Sequence, residues 1–287
     1  MDFDYECPVS LDEVCRRLAA AGGEAKIIAG GQTLVPLLAM RLARPALLID
    51  INRVPELSGI EETADGLAIR ACTRQAAALA DPRVRARVPL LAKALGFVGH
   101  IQTRNRGTIG GSLANADPAA EIGLAALTLD AEIEARTRDG TRTIPLGGFF
   151  LGPMETQLAP DECLACVRFP VWRDGRIGTG FQEVSVRQSD FALAAAAVQV
   201  ALDPTGLCRR AAISVGGAGA TPMRIPAAEA RLCGTRLEAG DTDAAAAIVR
   251  GAVNPLADPH ASPAYRRRIA GALVARAIAE ARTEAAP

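Results

Sequence analysis

Aromatic residues, histidine and net charge are all scarce in this chain of 287 residues. Phe, Trp and Tyr make up 3% of the sequence, His occurs twice, and 32 basic residues balance 32 acidic ones. A protein that binds nucleic acid by neutralising phosphates has an excess of Lys and Arg, so the zero net charge argues against that class, although the sum does not exclude a local basic patch. No acid–base pair or nucleophilic triad stands out, which argues against catalysis by side chains alone.

Signatures of membrane insertion and secretion are missing as well. The longest apolar run, residues 191–202, is too short to span a bilayer and contains Gln199. The first residues, 1–6, are acidic and lack the basic region of a signal peptide. We therefore expect a cytoplasmic protein with no transmembrane segment and no nucleic-acid partner.

The seven cysteines are dispersed, and only Cys163 and Cys166 have C-x-x-C spacing. A single pair of this kind is a weak indication of a metal or redox site. The pair lies in an apolar stretch typical of a strand, where residues three apart face opposite sides. The chain also lacks a four-cysteine set for an iron–sulfur cluster. We predict no metal ligand in this chain.

Two glycine pairs are the most informative features that are present. The first motif is Ala29-Gly30-Gly31-Gln32-Thr33, and the second motif is Thr108-Ile109-Gly110-Gly111-Ser112. Adjacent glycines allow a sharp turn and close approach to a ligand, and successive backbone N–H groups can bind an anion. One such pair alone is more often a tight turn. Two hydroxyl-flanked pairs predict two loops that hold one diphosphate-containing cofactor, and neither has the G-x-G-x-x-G or lysine-containing pattern of other phosphate loops.

The chain falls into three regions with different patterns. Through residue 51 the order helix, strand, loop, helix, strand predicts an α/β unit with parallel strands. Residues 57–169 indicate a mostly antiparallel sheet with a few helices, including a hairpin at Asp139-Gly140. From residue 192 strands are followed by helices, which indicates a separate α+β module. We place the domains at 1–176, subdivided near residue 55, and 177–287.

The residues around both motifs resemble the FAD-binding (medium) subunit of the molybdenum hydroxylase family, of the carbon monoxide dehydrogenase and xanthine dehydrogenase type. The first motif continues into Leu34-Val35-Pro36-Leu37-Leu38 and Arg41-Leu42-Ala43-Arg44-Pro45, and the similarity around the second runs from Gln102 to Glu121. Residues 180–192 are similar to the start of that family's C-terminal domain. The resemblance covers nearly the whole chain in order.

The resemblance implies an α+β fold, with a PCMH-type two-part FAD-binding domain followed by a small α+β C-terminal domain of the CO dehydrogenase flavoprotein C-terminal type. FAD is expected between the two parts, held non-covalently, because the first motif lacks the histidine that carries flavin in some wider relatives. The residues implied in cofactor binding are Ala29, Gly30, Gly31, Gln32, Thr33, Thr108, Ile109, Gly110, Gly111, Ser112, Asp117, Leu164 and Gln182.

Within that set the resemblance implies distinct roles. Both glycine motifs would hold the diphosphate, and Leu164 would supply a backbone contact near the adenine or the flavin. Asp117 fits two roles, a hydrogen-bond acceptor for ribose hydroxyls or a cap of the helix near Pro118. Gln182 stands where some relatives have Lys or Tyr beside the isoalloxazine, which leaves the flavin potential open. Gly31→Val and Gly110→Val are expected to abolish FAD binding in a folded chain.

The function implied is that of an oxidoreductase subunit. A large molybdopterin subunit would oxidise the substrate, a small subunit would carry electrons through [2Fe–2S] clusters, and this chain would pass them from FAD to NAD, oxygen, a quinone or another carrier. The molybdenum cofactor and clusters would lie only on these partners, in a heterotrimer or a dimer of heterotrimers. Two alternatives remain: a stand-alone flavin-dependent oxidase, which needs its own base, and a non-catalytic assembly module. The substrate stays open.

Overall fold

The computed structural model describes residues 3–286, so Met1, Asp2 and Pro287, at the ends of the predicted domains, lie outside the described residues. The first region is a three-stranded parallel sheet in the order β1-β3-β2, with two helices. Its elements are β1 (Asp4–Glu6), α1 (Leu11–Ala20), β2 (Ala25–Ile28), α2 (Leu34–Ala39) and β3 (Leu47–Asp50). The predicted parallel α/β unit is confirmed.

Helix α1 forms where the local signals predict it. The Ser10 hydroxyl accepts a hydrogen bond from the Glu13 N–H, which caps the first turn. The helix buries one stripe, Leu11, Val14, Cys15 and Leu18. Chain reversal after it uses Gly22 and Gly23, which both have positive φ.

The second region is a five-stranded antiparallel sheet in the order β4-β5-β10-β6-β7, packed against six helices. Its elements are β4 (Ile60–Glu62), β5 (Gly66–Arg70), α3 (Gln75–Ala80), α4 (Pro82–Arg87), α5 (Pro89–Phe97), α6 (Ile101–Arg106), α7 (Ile109–Asn115), α8 (Glu121–Thr128), β6 (Glu132–Arg136), β7 (Thr141–Pro145), β8 (Phe150–Gly152), β9 (Glu155–Thr156) and β10 (Cys163–Pro170). The predicted hairpin at Asp139-Gly140 is confirmed as the β6–β7 turn.

A β-bulge in β10 changes how its cysteines are arranged. The register shifts by one residue between Leu164 and Cys166, so Cys163 opposes Arg136 and Cys166 opposes Glu134. Those two partners lie on the same face of β6, because they are two residues apart. The expectation that the cysteines face opposite sides is therefore wrong, since it assumed a regular strand. Both thiols are buried, and burial raises the pKa of each above its usual value.

The third region is a four-stranded antiparallel sheet in the order β11-β12-β13-β14, covered by three helices. Its elements are β11 (Arg176–Ser185), β12 (Ala192–Leu202), β13 (Cys208–Gly216), β14 (Met223–Arg224), α9 (Pro226–Leu232), α10 (Ala239–Ala252) and α11 (Pro263–Glu284). Helix α11 packs directly on β11: a Cβ on Gly178 or Gly180 would lie 1.9 or 2.0 Å from a carbonyl oxygen of the helix. The predicted α+β module is confirmed.

The C-terminal sheet is joined to the second region by apolar and charged contacts. Phe181 of β11 packs on Phe97 of α5, with ring centroids 5.2 Å apart. The Lys93 ammonium donates to Glu280 at 2.7 Å and to Glu284 at 2.8 Å. The same carboxylates accept hydrogen bonds from the N–H groups of Thr179 and Phe181 on the outer edge of β11. Within residues 3–286, no helix is long and apolar enough to cross a membrane.

Candidate functional site

The first glycine motif forms the turn from β2 into α2. Gly31 has φ +71°, a left-handed conformation that a side chain would strain. Within residues 3–286, the N–H groups of Gly30, Gly31, Gln32 and Thr33 have no hydrogen-bond acceptor. The Thr33 hydroxyl, at the start of α2, makes no capping bond. The motif therefore presents a run of free donors suited to an anionic group.

The second glycine motif is not a loop, and this part of the prediction is wrong. Thr108 caps α7, and Gly110 and Gly111 lie in its first turn. Most of the motif's N–H groups are already used: Ile109 donates to the Thr73 carbonyl at 3.0 Å, Gly110 to the Ala71 carbonyl at 2.9 Å and Gly111 to the Thr108 hydroxyl at 3.1 Å. These backbone donors thus stabilise the fold, whereas the Thr108 N–H has no acceptor within residues 3–286. Ser112 donates its N–H to the Thr108 carbonyl at 3.2 Å.

Gly110 is needed for packing. A Cβ there would lie 2.6 Å from the Cβ and 2.8 Å from the Cα of Ala71, closer than atoms in proteins approach. A Cβ on Gly111 would lie 2.6 Å from the Thr108 hydroxyl oxygen that caps the helix. Because the added atoms would meet Ala71 and its backbone, we now expect Gly110→Val to destabilise the fold as well.

The structure brings the two motifs together. A Cβ on Gly30 would lie 2.5 Å from the Arg106 carbonyl oxygen and 2.8 Å from the Gly107 Cα. The first motif thus lies in backbone contact with the residues immediately before Thr108. The free N–H groups of the first motif and the beginning of α7 belong to one site at the boundary between the first and second regions.

Asp117 closes a turn before α8 and does not cap that helix, whose N-cap is Ala120, so the capping alternative is not borne out and the ligand role stays a prediction. Its Oδ1 accepts the Ala119 N–H at 2.9 Å and its carbonyl accepts the Ala120 N–H at 3.0 Å, directly before α8. Its Oδ2 accepts no hydrogen bond within residues 3–286. One carboxylate oxygen is therefore available for a ligand hydroxyl.

Leu164 lies close to the second motif through the bulge of β10. The next residue, Ala165, accepts the Ala71 N–H at 3.0 Å, and Ala71 accepts the Gly110 N–H at 2.9 Å. The Leu164 side chain itself is buried in the core. Any ligand contact at Leu164 would therefore be made by its backbone. That contact stays a prediction.

Gln182 points away from the second region. Its side-chain amide donates to Glu280 of α11 at 2.9 Å, and it pairs with Ala196, which belongs to the core of the C-terminal module. The adjacent Glu183 pairs with Ala195, which belongs to the core of the second region. Because strand residues alternate, Glu183 is the residue that faces the second region. The placement of Gln182 beside a flavin ring stays a prediction.

Two carboxyl groups near the boundary between the second region and the C-terminal sheet were missed by sequence reasoning. Burial raises the pKa of Glu121, the first residue of α8, to about 7. The pKa of Glu183 is raised to about 8, mainly by burial and secondly by the neighbouring Glu121 carboxyl. The Glu183 Oε2 is buried and has no hydrogen-bond partner within residues 3–286. Glu121 follows the second motif closely, a signal that could have found it, whereas nothing in the sequence indicates that the two carboxyls meet.

A series of hydrogen-bonded polar side chains next to the first motif was also missed. The Tyr5 hydroxyl donates to the Asp50 carboxylate at 2.5 Å, and Asn52 donates its N–H to the other oxygen at 2.8 Å. The Asn52 side chain donates to the Ala29 carbonyl at 2.8 Å. Burial raises the pKa of Asp50, but the hydrogen bonds from Tyr5 and Asn52 outweigh burial and hold that pKa below its usual value. Polar residues after a buried parallel strand are the signal that could have found this series.

Comparison with known protein families gives two matches that together cover most of the chain. Residues 1–172 match the family model of the FAD binding domain in molybdopterin dehydrogenase, which is more than half of the chain. The chain belongs to this FAD-binding family. Residues 179–281 match the CO dehydrogenase flavoprotein C-terminal domain, so the two models cover the three regions of the fold.

Members of the FAD-binding family with similar sequences and structures include subunits of several dehydrogenases. The 6-hydroxypseudooxynicotine dehydrogenase complex subunit alpha of Paenarthrobacter nicotinovorans is 41% identical, over 99% of this chain and 96% of that one. The carbon monoxide dehydrogenase of Hydrogenophaga pseudoflava contains a chain with TM-score 0.96 and 34% identity, covering 100% of this chain and 99% of that one. Quinoline 2-oxidoreductase from Pseudomonas putida gives TM-score 0.94 and 35% identity, over 99% of this chain and 98% of that one. The predicted resemblance and the α+β fold are confirmed.

Proposed function

We propose that this chain is the FAD-binding medium subunit of a molybdenum hydroxylase complex, in which it accepts electrons from [2Fe–2S] clusters of a partner and passes them to an external acceptor. The run of free N–H groups at Gly30, Gly31, Gln32 and Thr33 carries the proposal, because it fits a diphosphate. It occurs in a chain that matches both family models of such a flavoprotein.

The chain's residues bind and orient the cofactor. The first motif would donate its free N–H groups and the Thr33 hydroxyl to the diphosphate, without the covalent attachment for which it lacks a histidine. Asp117 would accept a ribose hydroxyl through its free Oδ2. When bound, FAD supplies the redox chemistry, and the protein contributes binding, orientation and electrostatics. Burial raises the pKa of the Glu121 and Glu183 carboxyls towards and above neutral pH, so the protein beside α8 carries less negative charge there than two ordinary carboxyls would.

The partners proposed are a small [2Fe–2S] subunit and a large molybdopterin subunit, in a heterotrimer or its dimer. Relatives support this assembly because their names describe subunits, as in the 6-hydroxypseudooxynicotine dehydrogenase complex and the medium chain of carbon monoxide dehydrogenase. All seven cysteines are free, which fits a reducing compartment, and we place the complex in the cytoplasm. Substrate selection would belong to the large subunit.

Gly31→Val in the full-length chain tests the diphosphate site. Gly31 has φ +71°, and its Cβ would lie 3.0 Å from the Val35 side chain. We expect this variant to lose its visible flavin absorption after reconstitution with FAD. Gly234→Val is the matched control, because Gly234 has φ +80° with no atom within 4 Å of its Cβ and lies far from the motif. Full flavin content in the Gly31 variant would contradict the proposal.

Co-purification from the native source tests the complex. We expect iron and molybdenum to accompany the tagged chain in fixed proportion to FAD. A flavin-containing chain that oxidises a substrate without partners would favour the stand-alone oxidase. A chain that stays colourless with excess FAD would favour the assembly module.

A further inference from the structure

One arginine side chain connects the two glycine motifs. Arg74 lies directly before α3 and is half-buried. Its Nη1 donates to the Arg106 carbonyl at 2.5 Å, and its Nη2 donates to the Asn52 side-chain oxygen at 2.7 Å. The Arg106 carbonyl is the group against which Gly30 packs. Asn52 is the residue whose side-chain nitrogen donates to the Ala29 carbonyl.

The backbone of Arg74 is fixed to the second motif. Arg74 and Thr108 form an antiparallel bridge pair, in which Gln75 donates to the Gly107 carbonyl at 2.9 Å and Ile109 donates to the Thr73 carbonyl at 3.0 Å. The guanidinium group is planar and carries its donors in a rigid fork, so one side chain can bridge two acceptors. Arg74 therefore extends from the start of α7 towards the first motif.

Asn52 completes the connection from the other side. Its side-chain nitrogen donates to the Ala29 carbonyl at 2.8 Å, and its backbone N–H is held by Asp50 at 2.8 Å. Ala29 is the first residue of the first motif. The path Ala29–Asn52–Arg74–Arg106 thus crosses between two separate sheets, the parallel sheet of the first region and the antiparallel sheet of the second.

We propose that Arg74 and Asn52 form a latch that holds the first glycine motif against the start of α7 and so presets the diphosphate site of FAD. This inference rests on the proposed function. Both are positioning residues, because the hydrogen bonds described here commit them to protein atoms. Binding to a site that is already ordered avoids the entropy cost of ordering it, so loss of the latch weakens FAD binding through preorganisation.

The test measures the dissociation constant of FAD for the full-length chain by quenching of FAD fluorescence. We expect Arg74→Ala and Asn52→Ala each to raise it about tenfold, equal to about 1.4 kcal/mol. Because both residues belong to one latch, the double variant should be little weaker than either single variant. Urea midpoints of the flavin-free chains, measured in parallel, should change little. Arg16→Ala is the control, since exposed Arg16 has the same charge and its side chain makes no hydrogen bond or ion pair within residues 3–286.

Arg74→Lys separates positioning from charge. A lysine keeps the positive charge but cannot bridge two acceptors in the same way. We expect it to lose most of the affinity that alanine loses. Wild-type affinity in the lysine variant, or additive losses in the double variant, would overturn the latch and favour direct attraction between Arg74 and the diphosphate. If the Arg74 variants bind normally while Gly31→Val loses FAD, the latch fails and the proposed function stands; if Gly31→Val also keeps FAD, the proposed function fails.

Discussion

The two glycine pairs have similar sequences and different physical roles. At Gly30-Gly31 the backbone turns, with positive φ at Gly31, and leaves its N–H groups free. At Gly110-Gly111 the backbone is helical, its N–H groups are bonded, and the missing side chain allows α7 to touch Ala71. The first pair leaves donors free, whereas the second lets a helix closely approach the residue that follows strand β5. A glycine pair in a sequence therefore indicates that another group comes close to the backbone. It does not indicate whether that group is a ligand or another part of the protein.

Gly110→Ala should have the largest effect on stability and would establish the packing role of the second pair. The new Cβ meets Ala71, and we expect a loss of about 2 to 3 kcal/mol in the free energy of unfolding, measured in urea. Gly96→Ala in α5 is the control, because its Cβ has no atom within 4 Å and alanine favours a helix. If the Gly110 variant were as stable as wild type, the second glycine pair would not be needed for packing, and the proposed difference between the two pairs would be refuted.

Thr108→Ala should cost about 1 kcal/mol, because Thr108 is the N-cap of α7 and its hydroxyl accepts the Gly111 N–H. The urea midpoint of the flavin-free chain measures this loss. An unchanged midpoint would mean that the cap adds nothing, and the second motif would then have a hydroxyl to offer a ligand, like the first.

Asp50→Asn tests the ionic support behind the first pair. The folded-state pKa of Asp50 is lowered, so its stabilising contribution is present above the unfolded pKa and is lost as pH falls through the folded pKa. We expect the variant to be about 0.5 to 1 kcal/mol less stable than wild type at neutral pH, and the difference to close on acidification. Asp174→Asn, at an exposed position, is the control. A gap that does not vary with pH would contradict this reading.

Thr33→Ala should have the smallest effect on stability, within about 0.5 kcal/mol, because the Thr33 hydroxyl caps nothing. Its effect should appear in FAD binding, with a dissociation constant raised several-fold. Together with Thr108→Ala it forms a matched pair of threonines at helix starts. A stability loss equal to that of Thr108→Ala would show that the two pairs differ less than the structure indicates.

Local signals predicted most of the fold. The N-cap of α1 at Ser10 and the turn at Asp139-Gly140 each act within a few residues, and both elements form where these local signals lie. The helical conformation of the second motif was not predicted, because the residue on which its glycine packs, Ala71, is far away in sequence. The bulge in β10 was missed because it depends on pairing with β6.

The same distinction applies to the site. The glycine motifs were recognisable because each is contiguous, and the structure brings the first against the residues immediately before the second. Asn52 and Arg74 were not recognised, because their hydrogen bonds join segments that meet only in the folded chain. Glu183, next to the predicted Gln182, was not recognised, since the face of a strand that meets another domain depends on packing.

The carboxylates of α11 also have a consequence for the order of folding. Strand β11 is the edge of its sheet, and Glu280 and Glu284 occupy N–H groups on its outer side. During synthesis β11 leaves the ribosome well before these glutamates do. Until α11 docks, that edge can pair with a strand of another chain, which is a route to aggregation. Docking of α11 therefore ends the period in which the exposed edge of β11 makes the nascent protein prone to aggregate.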